Sequence, residues 1–212
     1  MYIIDFDGTL IDVWDRYYSI FNDFWGINKF NLDEYKFYKR EYQYDDLIAR
    51  KKIGLINEKD ILEYKNFKKK KIEDINYLSL DNLLVTRESL QDFFFENDAI
   101  ILTIRNNKKN LFKQLNILNI DFLRDKIISL NNDGIYTKAS WVRKNINRNE
   151  KKIVVGDSEI DLKIGEIYNT VVYIVETGLR NPYKILKMNN IQGYIVPHIN
   201  SCLNVKQNKF EI

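Results

Sequence analysis

The sequence predicts an α/β fold in which a parallel sheet carries helices on both faces and a helical segment is inserted after the first strand. Two observations predict this fold. Short apolar runs alternate with segments in which apolar residues recur at helical spacing, and such alternation favours a parallel sheet covered on both sides. The alternation is interrupted once, early in the chain, by a long segment with few strand-like runs.

Five apolar runs are predicted to be the strands of the sheet, at residues 2–6, 99–104, 126–130, 151–157 and 170–175. Helical spacing is found in residues 107–118, 137–146 and 158–168, where Thr137 and Ser158 occupy positions typical of helix N-caps. Because functional groups collect beyond the carboxyl ends of parallel strands, we expect the functional residues to follow these runs.

The interrupting segment, residues 13–85, is rich in aromatic and charged residues and is predicted to be a helical cap domain. Helical stretches are predicted over residues 14–25 and 32–52, and residues 1–12 and 86–212 then form the core. Between Lys36 and Lys71 there are twelve basic and six acidic residues. This excess is typical of a solvated helix surface, but it would also attract an anion or a nucleic-acid backbone.

The composition narrows the class of protein. The chain has 212 residues, 45% of them apolar and 30% charged, with a net charge of +3, an ordinary balance for a soluble globular protein. No run approaches the roughly 18 apolar residues that a membrane span needs, and the first residues lack a signal-peptide pattern. We therefore expect a cytoplasmic protein with no membrane partner. Nothing in the sequence indicates an oligomeric state.

The single cysteine and the single histidine limit the metal chemistry. Cys202 and His198 allow neither an internal disulfide nor a typical zinc site. Any bound metal is therefore expected to be a hard cation held by carboxylates.

Two acidic residues end the first apolar run. Asp5 and Asp7 are two residues apart, so an extended backbone would point both side chains the same way. Such carboxylates repel each other unless one holds a proton or a cation binds both. Gly8 permits a tight turn and Thr9 offers a hydroxyl. The pattern indicates a cation or phosphate site, and a plain strand followed by a turn is the alternative.

Polar residues also follow the next two runs. Thr103 is followed by Ile104 and Arg105 before a helix, and a hydroxyl beside backbone N–H groups at a helix start is suited to hold phosphate. Lys138 follows the third run and would supply a fixed positive charge. Each of these residues, taken singly, is equally typical of an ordinary strand end or a basic surface.

The fourth run ends in GDSEID, which places Asp157 just beyond a fully apolar strand. Asp161 follows four residues later and is expected on the same helix face. A capped helix with two surface acids is the alternative.

The motifs DFDGT, LT, Lys138 and GDSEID occur in the order of the four motifs of the haloacid dehalogenase-like (HAD-like) hydrolase superfamily. The chain resembles the phosphatase branch, in particular phosphoglycolate phosphatase-type enzymes with a helical C1 cap. The resemblance covers residues 1–10 and about 86–200, and it implies a Rossmann-like core with the cap inserted after the first strand.

The resemblance implies catalytic roles for four residues. Asp5 would be the nucleophile that forms an aspartyl-phosphate, and Asp7 would protonate the leaving oxygen and later take a proton from water. Thr103 would hold the phosphoryl oxygens and Lys138 would steady the charge of the nucleophile and the phosphate. The predicted substrate-binding residues are Gly8, Thr9, Thr103, Ile104, Arg105 and Lys138.

The resemblance also implies a Mg²⁺ site. Asp5 and Asp157 would be ligands, Asp7 would bind through its backbone carbonyl, and Asp161 would complete the shell directly or through water. One departure is Ala139, which stands where many relatives have proline after the lysine, so the geometry of that loop is less constrained.

The implied function is the Mg²⁺-dependent hydrolysis of a small phosphorylated metabolite. One alternative is a phosphoryl-transfer enzyme of the sugar-phosphate mutase type. Another is a non-catalytic nucleic-acid-binding module that would use the basic cap, show salt-dependent binding and release no phosphate. The presence of every acid that the chemistry needs argues against it. Four cap cations either lie on the surface or point to a carboxylate or second phosphate of the substrate: Arg16, Arg40, Arg50 and Lys51.

Overall fold

The computed structural model describes residues 1–26, 31–54, 56–132, 137–189 and 191–203. Six parallel strands form one sheet in the order β5-β4-β1-β6-β7-β8. These strands are β1 (Tyr2–Ile4), β4 (Ala99–Ile104), β5 (Ile127–Leu130), β6 (Lys152–Gly156), β7 (Thr170–Val175) and β8 (Tyr194–Val196). The predicted α/β fold with a parallel sheet is therefore confirmed, and β1 lies between β4 and β6.

Helices cover both faces of the sheet because successive residues of the buried strands point to opposite sides. Ile4 packs into one hydrophobic core with Phe94 and Leu115. Ile3 packs into the other core with Val142. The helices beyond the cap region are α6 (Arg87–Glu96), α7 (Lys108–Ile117), α8 (Lys138–Asn145), α9 (Glu159–Leu162), α10 (Pro182–Asn189) and α11 (Asn200–Leu203).

The described part of the inserted segment contains five helices: α1 (Trp14–Trp25), α2 (Leu32–Tyr42), α3 (Asp45–Ile53), α4 (Glu58–Lys71) and α5 (Ile75–Leu78). They have a core of their own, in which Phe21, Tyr35, Ile48 and Tyr64 are buried together. Two short antiparallel strands, β2 (Ile11–Asp12) and β3 (Asn82–Leu83), pair where the chain enters and leaves this segment.

Two predicted helices differ from those observed. The stretch 32–52 is divided because Gln43 adopts a left-handed conformation, with φ 64°, and so ends α2. The stretch 158–168 forms only the short helix α9 and then a 3₁₀ helix, Lys163–Glu166.

The division into a core and a cap stays a prediction, although the separate hydrophobic core of α1–α4 agrees with it. The predicted core segment ends in residues 204–212, which lie outside the described residues. Among the helices that are described, none has both the length and the apolar character required to cross a membrane.

Candidate active site

Polar side chains from three neighbouring strands meet at the carboxyl edge of the sheet. Asp5 follows β1, Thr103 lies near the end of β4, and Asp157 follows β6. All three line one cavity of about 290 Å³, and Lys138, the first residue of α8, lines it as well. The sheet brings these residues together because parallel strands end at the same edge.

Three carboxylates form what we call the acidic cluster: Asp5, Asp157 and Asp161. Each is buried, and one oxygen of each lies within 4.8 Å of the others. The Lys138 Nζ donates to Asp5 Oδ1 at 2.5 Å and to Asp161 Oδ1 at 2.7 Å. The cluster thus holds three carboxylates and one ammonium group.

Burial and the neighbouring charges shift the pKa values of Asp5 and Asp157. Burial raises the pKa of Asp5 to about 7, although Lys138 lowers it and Asp161 raises it. Burial and the charges of Asp5 and Asp161 raise the pKa of Asp157 well above its usual range. A divalent cation would compensate this charge, and a set of carboxylate oxygens suits a hard cation. The residues therefore fit the predicted metal.

Asp161 is held by the start of its own helix. Its Oδ2 accepts hydrogen bonds from the Ser158 backbone N–H at 3.2 Å and from Ser158 Oγ at 2.5 Å. Asp161 therefore turns back toward β6 as part of a capping box. The approach is close, since a Cβ atom on Gly156 would lie 2.2 Å from Asp161 Cγ.

Asp157 is enclosed by two glycines. A Cβ atom on Gly178 would lie 2.1 Å from Asp157 Oδ2, and one on Gly8 would lie 2.5 Å from it. The Leu179 backbone N–H donates to the same oxygen at 3.3 Å. Gly8 has φ +77°, so it makes the predicted turn, and its carbonyl accepts a hydrogen bond from Thr177 Oγ1 at 2.7 Å. Its place is beside Asp157 rather than in the cavity wall.

Asp7 also borders the cavity, but its carboxylate is held by two arginines rather than by the acidic cluster. Arg105 Nε donates to Asp7 Oδ2 at 2.7 Å, and Arg105 Nη2 donates to Asp7 Oδ1 at 2.5 Å. Arg16 Nη2 also contacts Asp7 Oδ1. Burial raises the pKa of Asp7, but Arg105 and then Arg16 outweigh it and lower the pKa to about 2. Asp7 is therefore ionised in this arrangement.

The predicted phosphate cradle is only partly assembled. Thr103 and Ile104 line the cavity. The Arg105 backbone N–H donates to the Leu130 carbonyl at 2.9 Å, and its guanidinium is bound to Asp7, so Arg105 is not among the described residues that line the cavity. Thr9 is fully buried and, like Gly8, is absent from the described cavity wall.

The two arginines belong to a ring of five residues that we call the Asp7 ring: Asp7, Arg16, Asp81, Arg105 and Gln114. Gln114 Nε2 donates to Asp81 Oδ2 at 2.6 Å, and Arg105 Nη2 donates to Gln114 Oε1 at 3.3 Å. Asp81 Oδ1 lies 3.3 Å from Arg16 Nε, which closes the ring. Asp81 and Gln114 carry no motif, and only their burial in a folded chain reveals them.

The four cap cations considered from sequence do not line the cavity. Arg16 is buried against Asp7, and Arg40 Nη2 donates to the Glu176 carbonyl at 2.6 Å. Arg50 pairs with an acidic side chain, Glu58, and Lys51 is exposed. Two other cap lysines line the cavity instead, and sequence reasoning did not single them out: Lys39 and Lys68.

Solved structures share this fold at low sequence identity. A predicted phosphoglycolate phosphatase from Haemophilus somnus is 16% identical, with a TM-score of 0.63 over 96% of each chain. A haloacid dehalogenase-like hydrolase, SP0104 of Streptococcus pneumoniae, is 13% identical, with a TM-score of 0.61 over 95% of each chain. The fold is therefore that of HAD-like phosphatases, as the motifs predicted.

The same fold occurs in Protein Tyrosine Kinase A (PtkA) of Mycobacterium tuberculosis. That protein is 17% identical, with a TM-score of 0.60 over 96% of this chain and 97% of its own. No protein-family model matches the chain, and no curated protein matches it significantly.

Proposed function

We propose that the protein is a HAD-like phosphoric monoester hydrolase that acts on a small phosphorylated metabolite with Mg²⁺ as its cofactor. The observation that carries this proposal is the shared cavity of Asp5, Thr103 and Lys138 beside the acidic cluster. The fold alone would not carry it, because one fold can host many functions. The cavity volume of about 290 Å³ suits a small molecule rather than a polymer.

The acidic cluster would hold the metal through Asp5, Asp157 and Asp161, with the Asp7 backbone carbonyl as a further ligand. A bound Mg²⁺ supplies positive charge that neutralises the phosphoryl oxygens and keeps the carboxylates ionised. Oxygen ligands favour Mg²⁺ over softer metals.

In the first step, an Asp5 carboxylate oxygen forms a bond to phosphorus as the bond from phosphorus to the leaving oxygen breaks. The product is an aspartyl-phosphate, and the leaving oxygen takes up a proton. The Thr103 hydroxyl donates to a phosphoryl oxygen, and Lys138, 2.5 Å from Asp5 Oδ1, orients the nucleophile. Water then attacks the phosphorus, which releases phosphate and restores the carboxylate.

Asp7 would exchange the proton in both steps, as general acid and then as general base. It can do so only if its pKa rises from about 2, and this requires the loss of one arginine contact. Arg16 is the candidate because it lies on α1 of the inserted segment. A movement of that segment would separate Arg16 from Asp7 while Arg105 stayed in the core.

A second candidate is phosphoryl transfer from the same aspartyl-phosphate to an acceptor hydroxyl other than water. It is considered because PtkA, which has the same fold, is named as a kinase, although a shared fold does not by itself establish the reaction. Transfer predicts slow phosphate release that is accompanied by a phosphorylated acceptor. Hydrolysis predicts one phosphate released per ester cleaved.

The test is the hydrolysis of 4-nitrophenyl phosphate with Mg²⁺ and with a chelator. We expect turnover only with the metal, and we expect Asp5→Asn to lower kcat by a factor on the order of 10⁴ or more. The matched control is Asp15→Asn, which changes an exposed acid on α1. Wild-type turnover by Asp5→Asn would refute the nucleophile.

A further inference from the structure

A second buried charged group lies in the inserted segment, and we call it the cap cluster. It consists of Lys39 from α2, Asp45 from α3 and Lys68 from α4, with Tyr35 and Tyr64 beside them. The Asp45 side chain is 4% exposed. Three helices therefore place one carboxylate and two ammonium groups in the interior of a small domain.

The bonds to Asp45 are saturated. Its Oδ1 accepts from Lys39 Nζ at 2.6 Å and from Tyr35 Oη at 3.1 Å. Its Oδ2 accepts from Lys68 Nζ at 2.5 Å and from Tyr64 Oη at 2.6 Å. Burial opposes ionisation of Asp45, but Lys68 and Lys39 outweigh it and hold the pKa of Asp45 well below its usual range.

The cap cluster is therefore one negative charge short. Each lysine ammonium has three N–H donors, and among the described residues each spends one of them on Asp45. Lys39 is 5% exposed, so water compensates little of its charge. Burial lowers the pKa of Lys39 to about 8 even though Asp45 raises it. Burying a charge without a full partner is costly.

The excess positive charge faces the candidate active site. Lys39 and Lys68 line the same cavity as Asp5 and Thr103. Arg180, which follows β7, also lines this cavity and donates through Nη1 to the Gln43 carbonyl of the cap at 3.0 Å. An anion between the lysines would be bound by charge-assisted hydrogen bonds.

We propose that Lys39 and Lys68 bind a second anionic group of the substrate, either a carboxylate or a second phosphate, while the phosphate ester lies beside Asp5 and Thr103. The position of the ester rests on the proposed function. The inference adds the substrate class, which is a small phosphate ester with a further negative group on the part that leaves.

Binding measured by calorimetry on Asp5→Asn protein with Mg²⁺ tests this proposal without turnover. The probes are 2-phosphoglycolate, which has a carboxylate, ethylene glycol monophosphate, which has a hydroxyl in its place, and ethylene glycol bisphosphate. We expect at least one of the two doubly anionic probes to bind about tenfold to 100-fold more tightly than the monophosphate. Which of them does so identifies the second group.

The lysines are then tested in the same background. Lys68→Gln should reduce that affinity ratio about tenfold, whereas Lys69→Gln, a change of an exposed lysine on the same helix, should preserve it. Lys68→Gln is the decisive variant, because the Lys68 side chain is 25% exposed whereas that of Lys39 is only 6% exposed, so Lys39→Gln would disturb the interior of the inserted segment more. The thermal unfolding of Lys68→Gln should match that of Lys69→Gln.

The outcomes separate this inference from the proposed function. Equal affinity for all three probes, or an unchanged ratio in Lys68→Gln, overturns the anion site even if wild-type protein hydrolyses 4-nitrophenyl phosphate. A high ratio that depends on Lys68 supports the site even if no ester is hydrolysed, and in that case the proposed function fails alone.

Discussion

The acidic cluster and the cap cluster border one cavity with opposite charge imbalances. At the sheet edge, three carboxylates lie together, and the ammonium of Lys138 contacts two of them, Asp5 and Asp161. In the cap, two lysines share the single carboxylate of Asp45. The Asp7 ring differs from both, since it contains equal numbers of acids and arginines, two of each.

The comparison shows how a buried cluster with unequal numbers of positive and negative groups differs from a buried ion pair. In a network with equal numbers of positive and negative groups, the charges neutralise one another. A network with unequal numbers has an unfavourable electrostatic energy, which a ligand of the opposite charge reduces. The acidic cluster lacks positive charge and suits a metal cation. The cap cluster lacks negative charge and suits an anion. The predictions below test this distinction by changing one charge at a time.

The largest effect is expected when a cluster loses its only charge of the less abundant sign, which in the acidic cluster is the ammonium group of Lys138. Lys138→Met leaves Asp5 and Asp161 without their ammonium partner, so the free energy of unfolding of metal-free protein should fall by about 3–5 kcal/mol. Urea unfolding measures this change, and Lys144→Met, on an exposed face of α8, is the matched control.

The counterpart in the cap is Asp45→Asn, which leaves Lys39 and Lys68 facing each other. It should destabilise the protein in the same direction, but less, because the Lys68 side chain is 25% exposed and partly hydrated. If Lys138→Met and Lys144→Met are equally stable, the ammonium group of Lys138 does not stabilise the acidic cluster.

Removing one charge of the more abundant sign should affect the free energy of unfolding differently. Asp157→Asn removes one of three carboxylates, so metal-free protein should keep its stability or gain slightly. The stabilisation by Mg²⁺, about 3 kcal/mol at a hundredfold excess over Kd, should be lost. Thermal unfolding with and without Mg²⁺ measures both effects. If the variant keeps the full response to Mg²⁺, Asp157 is not a ligand.

The last prediction concerns the pH dependence of the Asp7 ring, where the effect per pH unit is small. Burial raises the pKa of Asp81 to about 7, with Arg16 lowering it and Asp7 raising it. The folded protein then holds this proton more tightly than the unfolded chain does, so the free energy of unfolding should decrease as pH rises from about 4 to about 7, by about 1 kcal/mol per unit.

Unfolding across this pH range, with Mg²⁺ present to keep the acidic cluster ionised, should show a shallower dependence in Asp81→Asn. Asp92→Asn, an exposed acid on α6, should behave as wild type. If Asp81→Asn has the wild-type slope, another group carries the proton.

The fold was predictable in the core and less so in the cap. The strands at Ala99–Ile104 and Thr170–Val175 have the predicted bounds, because strands of a parallel sheet that is covered on both faces are nearly continuous apolar runs. The helix Trp14–Trp25 was also predicted. The break at Gln43 was not, because a polar residue in a left-handed conformation has no reliable local signal.

The site was predictable where it depends on the ends of strands. Asp5, Thr103 and Asp157 follow or end apolar runs, and the sheet brings them to one cavity. Arg16 and Arg105 could not be assigned in the same way, since their contacts with Asp7 join helix α1 and the end of β4. Such pairings depend on how the inserted segment packs on the core.

The sequence by itself determined the parallel sheet and the acids at its carboxyl edge, because buried strands need uninterrupted apolar residues and reactive groups can only follow them. Only the tertiary structure decided which charges are balanced. Lys39, Asp45 and Lys68 lie on three different helices, and these helices must pack before one carboxylate meets two ammonium groups. Charge balance is a property of proximity in space, which local sequence patterns do not encode.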